Sequence, residues 1–164
     1  MSASGEKRRN KDGGRNDWQT PPELFKLLDA EFHFKVDGAA SEGNALCSVF
    51  YSEELDAFHA DPINTSIFVN PPYGKLKRWI DLFVEWIDSY NTIVALVPAA
   101  PDTEWWSRAY YSASEVRLLS GRVKFVNPVT GLPDGSNTTG STVFVFHASA
   151  KPKSVYLWDW RAEL

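Results

Sequence analysis

At 164 residues, with 43% hydrophobic and 23% charged side chains, the chain is sized for one globular domain with a substantial core. Its net charge of −4 is unevenly spread, because five cations (Lys7, Arg8, Arg9, Lys11, Arg15) against Glu6 and Asp12 give residues 1–16 a net +3 and leave −7 for residues 17–164. The longest apolar runs, such as 93–97, are too short to cross a bilayer, no signal-peptide stretch is visible, and a lone Cys47 excludes an internal disulfide, so a cytoplasmic protein without membrane association is expected.

Residues 1–16, with Gly5, Gly13 and Gly14 and no apolar periodicity, read as a basic flexible arm, suited to phosphate contacts or to simple solvation. A single domain spans 17–164. Thr20-Pro21-Pro22-Glu23 reads as a helix start, with Thr20 as N-cap, Pro21 at the first helical position and Glu23 closing a capping box. Leu24, Leu27 and Leu28 follow on one face. Residues 32–36 read as a strand ending at Asp37-Gly38-Ala39-Ala40, where small side chains permit close backbone approach. Residues 41–66 show no clear pattern, and 53–58 fits a helical turn or a strand edge equally well.

An apolar strand at 67–69 then runs into Asn70-Pro71-Pro72-Tyr73-Gly74, followed by an amphipathic helix carrying Leu76, Trp79, Ile80, Phe83 and Ile87. Residues 92–97 form a buried strand stopped by Pro98 and Pro101, and Asp102 caps a helix bearing Trp105, Trp106, Ala109 and Tyr110. Strands are expected at 115–119 and 122–126 around Gly121, at 142–146 and at 154–158. The Pro-, Gly- and Asn-rich 127–140 is a long loop, able either to order over nucleic acid or to serve as a neutral surface excursion. Strands alternating with helices define an α/β fold with a mostly parallel sheet covered on both faces. Ligands of such sheets gather beyond the carboxyl ends of strands, where Asp37 and Asn70 both fall. Glycine-rich dinucleotide and phosphate-loop fingerprints are absent.

The turn at 70–73 suits one chemistry. An exocyclic amine on an aromatic base is a poor nucleophile, since its lone pair is delocalised into the ring. Two neutral acceptors, the Asn70 side-chain oxygen and the Pro71 carbonyl, can each take one N–H and free the lone pair for an electrophilic methyl group. Pro71 and Pro72 stiffen the turn so that both acceptors are placed in advance. The Tyr73 ring offers a stacking face for a base taken out of its helix.

Asp17-Trp18-Gln19-Thr20-Pro21, Asp37-Gly38-Ala39-Ala40-Ser41 with Asn44 and Cys47, Asn70-Pro71-Pro72-Tyr73, and Gly121-Arg122-Val123-Lys124-Phe125 occur in that order. Through them the chain resembles the S-adenosylmethionine-dependent amino-group methyltransferases, and most closely the small phage-type DNA N6-adenine methyltransferases, over about residues 16–147. The resemblance implies a Rossmann-like methyltransferase fold and S-adenosylmethionine as cofactor. It further implies Trp18, Thr20 and Pro21 at the cofactor's methionine end, Asp37, Ala39 and Asn44 beside its amino acid or sulfonium portion, and Asp56 on its ribose or adenine, with Asp61 a competitor for that role. Asn70, Pro71, Pro72 and Tyr73 would be catalytic. The family's sheet generally has two further strand–helix units between the cofactor loop and the catalytic turn, which residues 41–66 cannot hold, so the sheet is expected to be trimmed at that edge.

The implied partner is double-stranded DNA, met by Lys75, Arg78, Arg122 and Lys124, with Lys77 on the same helix face; such groups position phosphates. No metal is needed, and His33, His59 and His147 lack ligand spacing. Related turns also serve RNA adenine, cytosine N4 and protein glutamine, and a non-catalytic DNA-binding protein on a degenerate fold is the alternative from another class. Protection from restriction is the role that resemblance to phage enzymes suggests.

Overall fold

The computed structural model describes residues 18–41, 43–52, 57–59, 64–90, 92–148 and 153–164. Their elements run α1 (Pro22–Phe32), β1 (Val36–Asp37), β2 (Val49–Phe50), β3 (Ser66–Val69), α2 (Leu76–Trp86), β4 (Thr92–Pro98), α3 (Glu104–Ser112), β5 (Glu115–Leu119), β6 (Ser141–His147) and β7 (Ser154–Trp158). One seven-stranded sheet has the order β2-β1-β3-β4-β6-β5-β7. All neighbouring pairs are parallel except those made by β6, which runs antiparallel to both β4 and β5. The expected mostly parallel α/β sheet is therefore the observed one.

Both faces of the central strands are buried, which is why β4 reads as an unbroken apolar run. Ile93, Ala95 and Val97 face a core shared with Leu76, Ile80 and Phe83 of α2 and Trp106 and Ala109 of α3. Val94 and Leu96 face the opposite core, with Leu24, Phe25 and Leu28 of α1. The trimmed edge takes the form of β2, a two-residue strand pairing Val49 with Val36 and Phe50 with Asp37.

Four local expectations are corrected. The capping box at Thr20 does not form: the helix begins at Pro22, and Pro21 is extended with ψ 131°. A proline disfavours helical geometry in the residue before it, so Pro22 moves the start one position along. Residues 32–35 are not strand, because α1 continues through Phe32 and is stopped by His33 in the left-handed region (φ 54°), whose N–H donates to the Asp29 carbonyl. Asp102 is not the cap of α3; Thr103 holds that position, its hydroxyl donating to the Ala100 carbonyl at 2.7 Å. Residues 122–126 add no strand, because β6 and β7 already occupy both sides of β5. Val123 and Phe125 instead pack into the core under α1.

Arg117 on β5, 4% exposed, ties this assembly together. Its guanidinium donates to both oxygens of Glu31 at the end of α1 (2.6 and 2.8 Å) and to Glu115 at 2.7 Å. Burial opposes ionisation of Glu115, but its hydrogen bonds from Arg117 and Tyr156 outweigh that and hold its carboxyl below the usual range. Tyr156 itself is pushed up to about 12, first by burial and then by its bond to Glu115. A phenol held above its unfolded value of about 10 contributes stability that is complete below pH ~10 and lost as pH rises through ~12. Tyr156→Phe should therefore flatten the fall in stability across that alkaline window, measured by urea unfolding at stepped pH.

Candidate active site

Three segments far apart in sequence meet at the carboxyl end of β3. The first is the turn itself: β3 delivers Asn70, Pro71 is buried, and a 3-10 turn (Tyr73–Lys75) leads straight into α2. The second is 18–20, where Gln19 exchanges two backbone hydrogen bonds with Val126 at 3.0 and 2.9 Å. The third is 121–126, where the Phe125 ring meets Tyr73 edge-on at 6.4 Å between centroids.

The contact that joins the first two segments is the hydrogen bond from Asn70 Nδ2 to Thr20 Oγ1, 3.2 Å, with Thr20 only 3% exposed. The hydroxyl expected to cap a helix instead accepts from the Asn70 amide. Holding Nδ2 toward Thr20 leaves Oδ1, the acceptor, for a different donor. Phe125 in turn sets the Tyr73 ring, leaving the arrangement perpendicular, at 84° between planes.

Asp37 lies on the strand next to Asn70, in register with Phe68. Its carboxylate is 4% exposed and accepts from the backbone N–H of Leu46 (3.0 Å) and Ala39 (3.3 Å). Burial raises its pKa, and the two backbone bonds only partly oppose this. Asn44 does similar work, accepting from Ser41 N–H at 2.6 Å. Both side chains thus shape the loop after β1, and Ala39 sits half-buried within it. Cys47 is half-buried beside the same loop, its thiol pushed up to about 11 by burial and then by the charge of Asp37. Trp18 packs partly buried against the α1 core, and Pro21 is buried. Asp56 and its competitor Asp61 lie outside the described residues, as does the basic arm.

The basic residues divide. Lys75 and Lys124 are exposed near the turn. Arg122 is exposed and donates a long 3.4 Å bond to the Asn137 carbonyl, while the Arg161 guanidinium donates to the Arg122 carbonyl at 2.6 Å. Arg78 lies over the Phe58 ring at 3.7 Å, and Lys77 pairs with Asp81 at 2.9 Å, so these two are committed to intramolecular contacts. A polar cleft of about 430 Å³ lined by Glu31, Thr92, Glu115, His147 and others opens at the amino ends of β4, β5 and β7, the end of the sheet opposite the turn.

Sequence reasoning missed the contacts rather than the residues: the Gln19–Val126 bridge, the Phe125–Tyr73 packing and the Thr20–Asn70 bond all join distant segments. One signal was available in the buried–exposed–buried alternation of Val123, Lys124 and Phe125, which marks an inward face without saying against what.

The fold and the turn define a class: an α/β protein whose site sits beyond the carboxyl ends of adjacent strands, with a neutral amide and two prolines at its centre. A model of the DNA N-6-adenine-methyltransferase (Dam) family matches residues 7–161, and the chain belongs to that family. It is similar to the DNA N-6-adenine-methyltransferase of Escherichia phage T1, 29% identical over 151 residues covering 82% of this chain and 63% of the phage protein. The chain thus spans a little under two thirds of that relative's length. No helix among the described residues is long and apolar enough to cross a membrane.

Gly38 fixes the spacing of the two halves of the site. Its N–H donates to the Phe68 carbonyl at 2.8 Å, and a Cβ there would lie 2.7 Å from Val69 Cγ2 and 2.9 Å from Ile67 Cδ1. Valine is stiff at χ1 and cannot swing clear cheaply. Gly38→Ala should cost about 1–3 kcal/mol of stability, read by denaturant unfolding, and an unchanged midpoint would show that β1 and β3 separate freely.

Proposed function

We propose that this chain is a DNA adenine-N6 methyltransferase that uses S-adenosylmethionine and acts on double-stranded DNA in the cytoplasm. The observation that carries the reading is the Asn70 amide, anchored through its nitrogen and adjoining a proline-stiffened turn. Family membership supports DNA adenine over the RNA, cytosine and glutamine alternatives.

The donor set suits the cofactor. A buried carboxylate at Asp37 complements a cationic ligand, and the small, half-buried Ala39 and Ala40 permit close approach to the backbone after it. Trp18, Pro21, Asp37, Ala39 and Asn44 would hold the methionine and sulfonium portion, with Asp56 on the ribose or adenine, while the Thr20 hydroxyl, taken by the Asn70 amide, serves the turn instead. When bound, S-adenosylmethionine supplies an electrophilic methyl group on a positively charged sulfur.

The chain's own residues do the rest. Tyr73 stacks on the flipped adenine. Asn70 Oδ1 and the Pro71 carbonyl each accept one N6 hydrogen, drawing the nitrogen toward tetrahedral geometry so that its lone pair faces the methyl carbon. The methyl would come from the bound cofactor at the expense of its S–C bond as the N–C bond forms, and the amine would lose one proton to solvent, since neither the Asn70 nor the Pro71 oxygen is basic enough to keep it. Lys75, Arg122 and Lys124 would position phosphates around the mouth, and Arg78 could join them only by leaving the Phe58 ring.

Asn70→Ala should lower the methylation rate on the order of 10²–10³-fold while cofactor affinity stays near wild type, followed by labelled methyl transfer with nucleoside mass analysis. Full activity in that variant would sink the mechanism. Thr20 acts through Asn70 in this scheme. Thr20→Val should reduce kcat about tenfold with little change in the KM for cofactor, and Thr20→Ser should restore it. A rise in that KM at unchanged kcat would make Thr20 a cofactor contact instead.

A further inference from the structure

The most exposed large apolar side chain among the described residues is Val129, at 90%, and its neighbour Leu132 is 65% exposed. Val129 sits at the tip of the loop that leaves Phe125, and Leu132 on its returning limb. A bare valine on a slack loop would mean little, but this tip is built. Val126 bridges Pro133, Asn127 N–H donates to the Leu132 carbonyl at 2.9 Å, and Gly131 N–H donates to the Asn127 carbonyl at 2.8 Å. The Asn127 side-chain oxygen accepts from the N–H of Val129 (2.8 Å) and Thr130 (3.3 Å). Gly131 takes the left-handed conformation that closes the turn, φ +67°. Four hydrogen bonds thus hold a turn that keeps two apolar side chains out in water.

The root of the loop is anchored in the site. Phe125 packs on Tyr73, Val126 pairs with Gln19, and Asp134 N–H donates to the Phe125 carbonyl at 2.9 Å. Residues 127–131 close as a tight turn on the Val126–Pro133 bridge, so Val129 stands out from a compact base rather than from an extended arm. Exposed Lys124 lies on the flank, placed for phosphate.

We propose that Val129 and Leu132 form a wedge that enters duplex DNA and fills the gap left when the target adenine is extruded toward Tyr73. The inference rests on the adenine-methylation reading above. Extrusion forfeits stacking and pairing, and apolar side chains inserted at a base step are the means by which proteins recover part of that loss. Burying one such side chain shifts an equilibrium roughly ten- to a hundredfold. A tip already fixed in its inserted shape loses little entropy on entry.

The wedge matters only where a base has to be taken from a stack. The test therefore compares the wild type with the double variant Val129→Ser/Leu132→Ser on two DNAs carrying the target site mapped from plasmid of expressing cells. One is an intact duplex; the other has the target adenine opposite an abasic position, where no pairing is lost. The variant should methylate the intact duplex about ten- to a hundredfold more slowly than wild type and the abasic-opposed duplex within about twofold of it. Equal wild-type and variant rates on the intact duplex, or equal losses on both DNAs, would overturn the wedge while leaving the methylation reading standing. A wild-type protein that methylates neither DNA would overturn both.

Discussion

Parallel pairing of β1 with β3 sets the scale of everything at the site. The two strands lie one ladder spacing apart, about 4.8 Å, and each ends in a loop that belongs to the site: 38–46 after β1, and the Asn70 turn after β3. Close pairing depends on Gly38, whose bare Cα lies flat against Val69 and Ile67. Asp37 then folds its own loop back by taking the Leu46 and Ala39 N–H groups, a buried negative charge kept in place by two backbone dipoles. Tolerating that charge in a dry position is a cost to the fold. It makes sense where a cationic ligand will share the position, and less sense where only a turn has to be shaped.

A second level of organisation lies across the sheet. Arg117 gathers Glu31, Glu115 and, through Glu115, Tyr156, with the Trp158 ring 4.9 Å from its guanidinium carbon. A buried ion network of this kind gives register rather than large net stability, since desolvation offsets much of its attraction. Here the register in question is that of β7 against β5 and of α1 against both. α1 carries on its other end the Thr20–Pro21 segment that meets the Asn70 turn, so the network and the candidate site are joined by one eleven-residue helix.

Most of the sheet was legible in the sequence because its strands are short apolar runs bounded by Pro, Gly or Asn, and α2 because its apolar residues recur at helical spacing. Errors fell where local signals conflicted with tertiary ones. Thr20-Pro21-Pro22-Glu23 carries every mark of a capping box, yet the second proline excludes Pro21 from the helix and the Thr20 hydroxyl goes to Asn70, fifty residues away. Residues 122–126 alternate like a strand, but β5 has no vacant edge to receive them. The candidate site was legible as residue types, since Asn, Pro, Pro and Tyr in that order suggest a chemistry, and the structure adds only where their side chains sit. What brings Phe125 to Tyr73, or Val126 to Gln19, has no periodicity and no motif; only the folded topology decides it.

The Gln19–Val126 bridge has a kinetic consequence. It clamps the chain at residue 19 beside the mouth of the site, so the preceding stretch, with its net +3, is tethered there whatever path it follows. The rest of the molecule carries −7 and is repelled by a polyanion. If DNA is the substrate, as proposed, charge so divided would act as a dipole, turning the approaching molecule until its mouth leads and biasing encounters toward the orientation in which the site could engage.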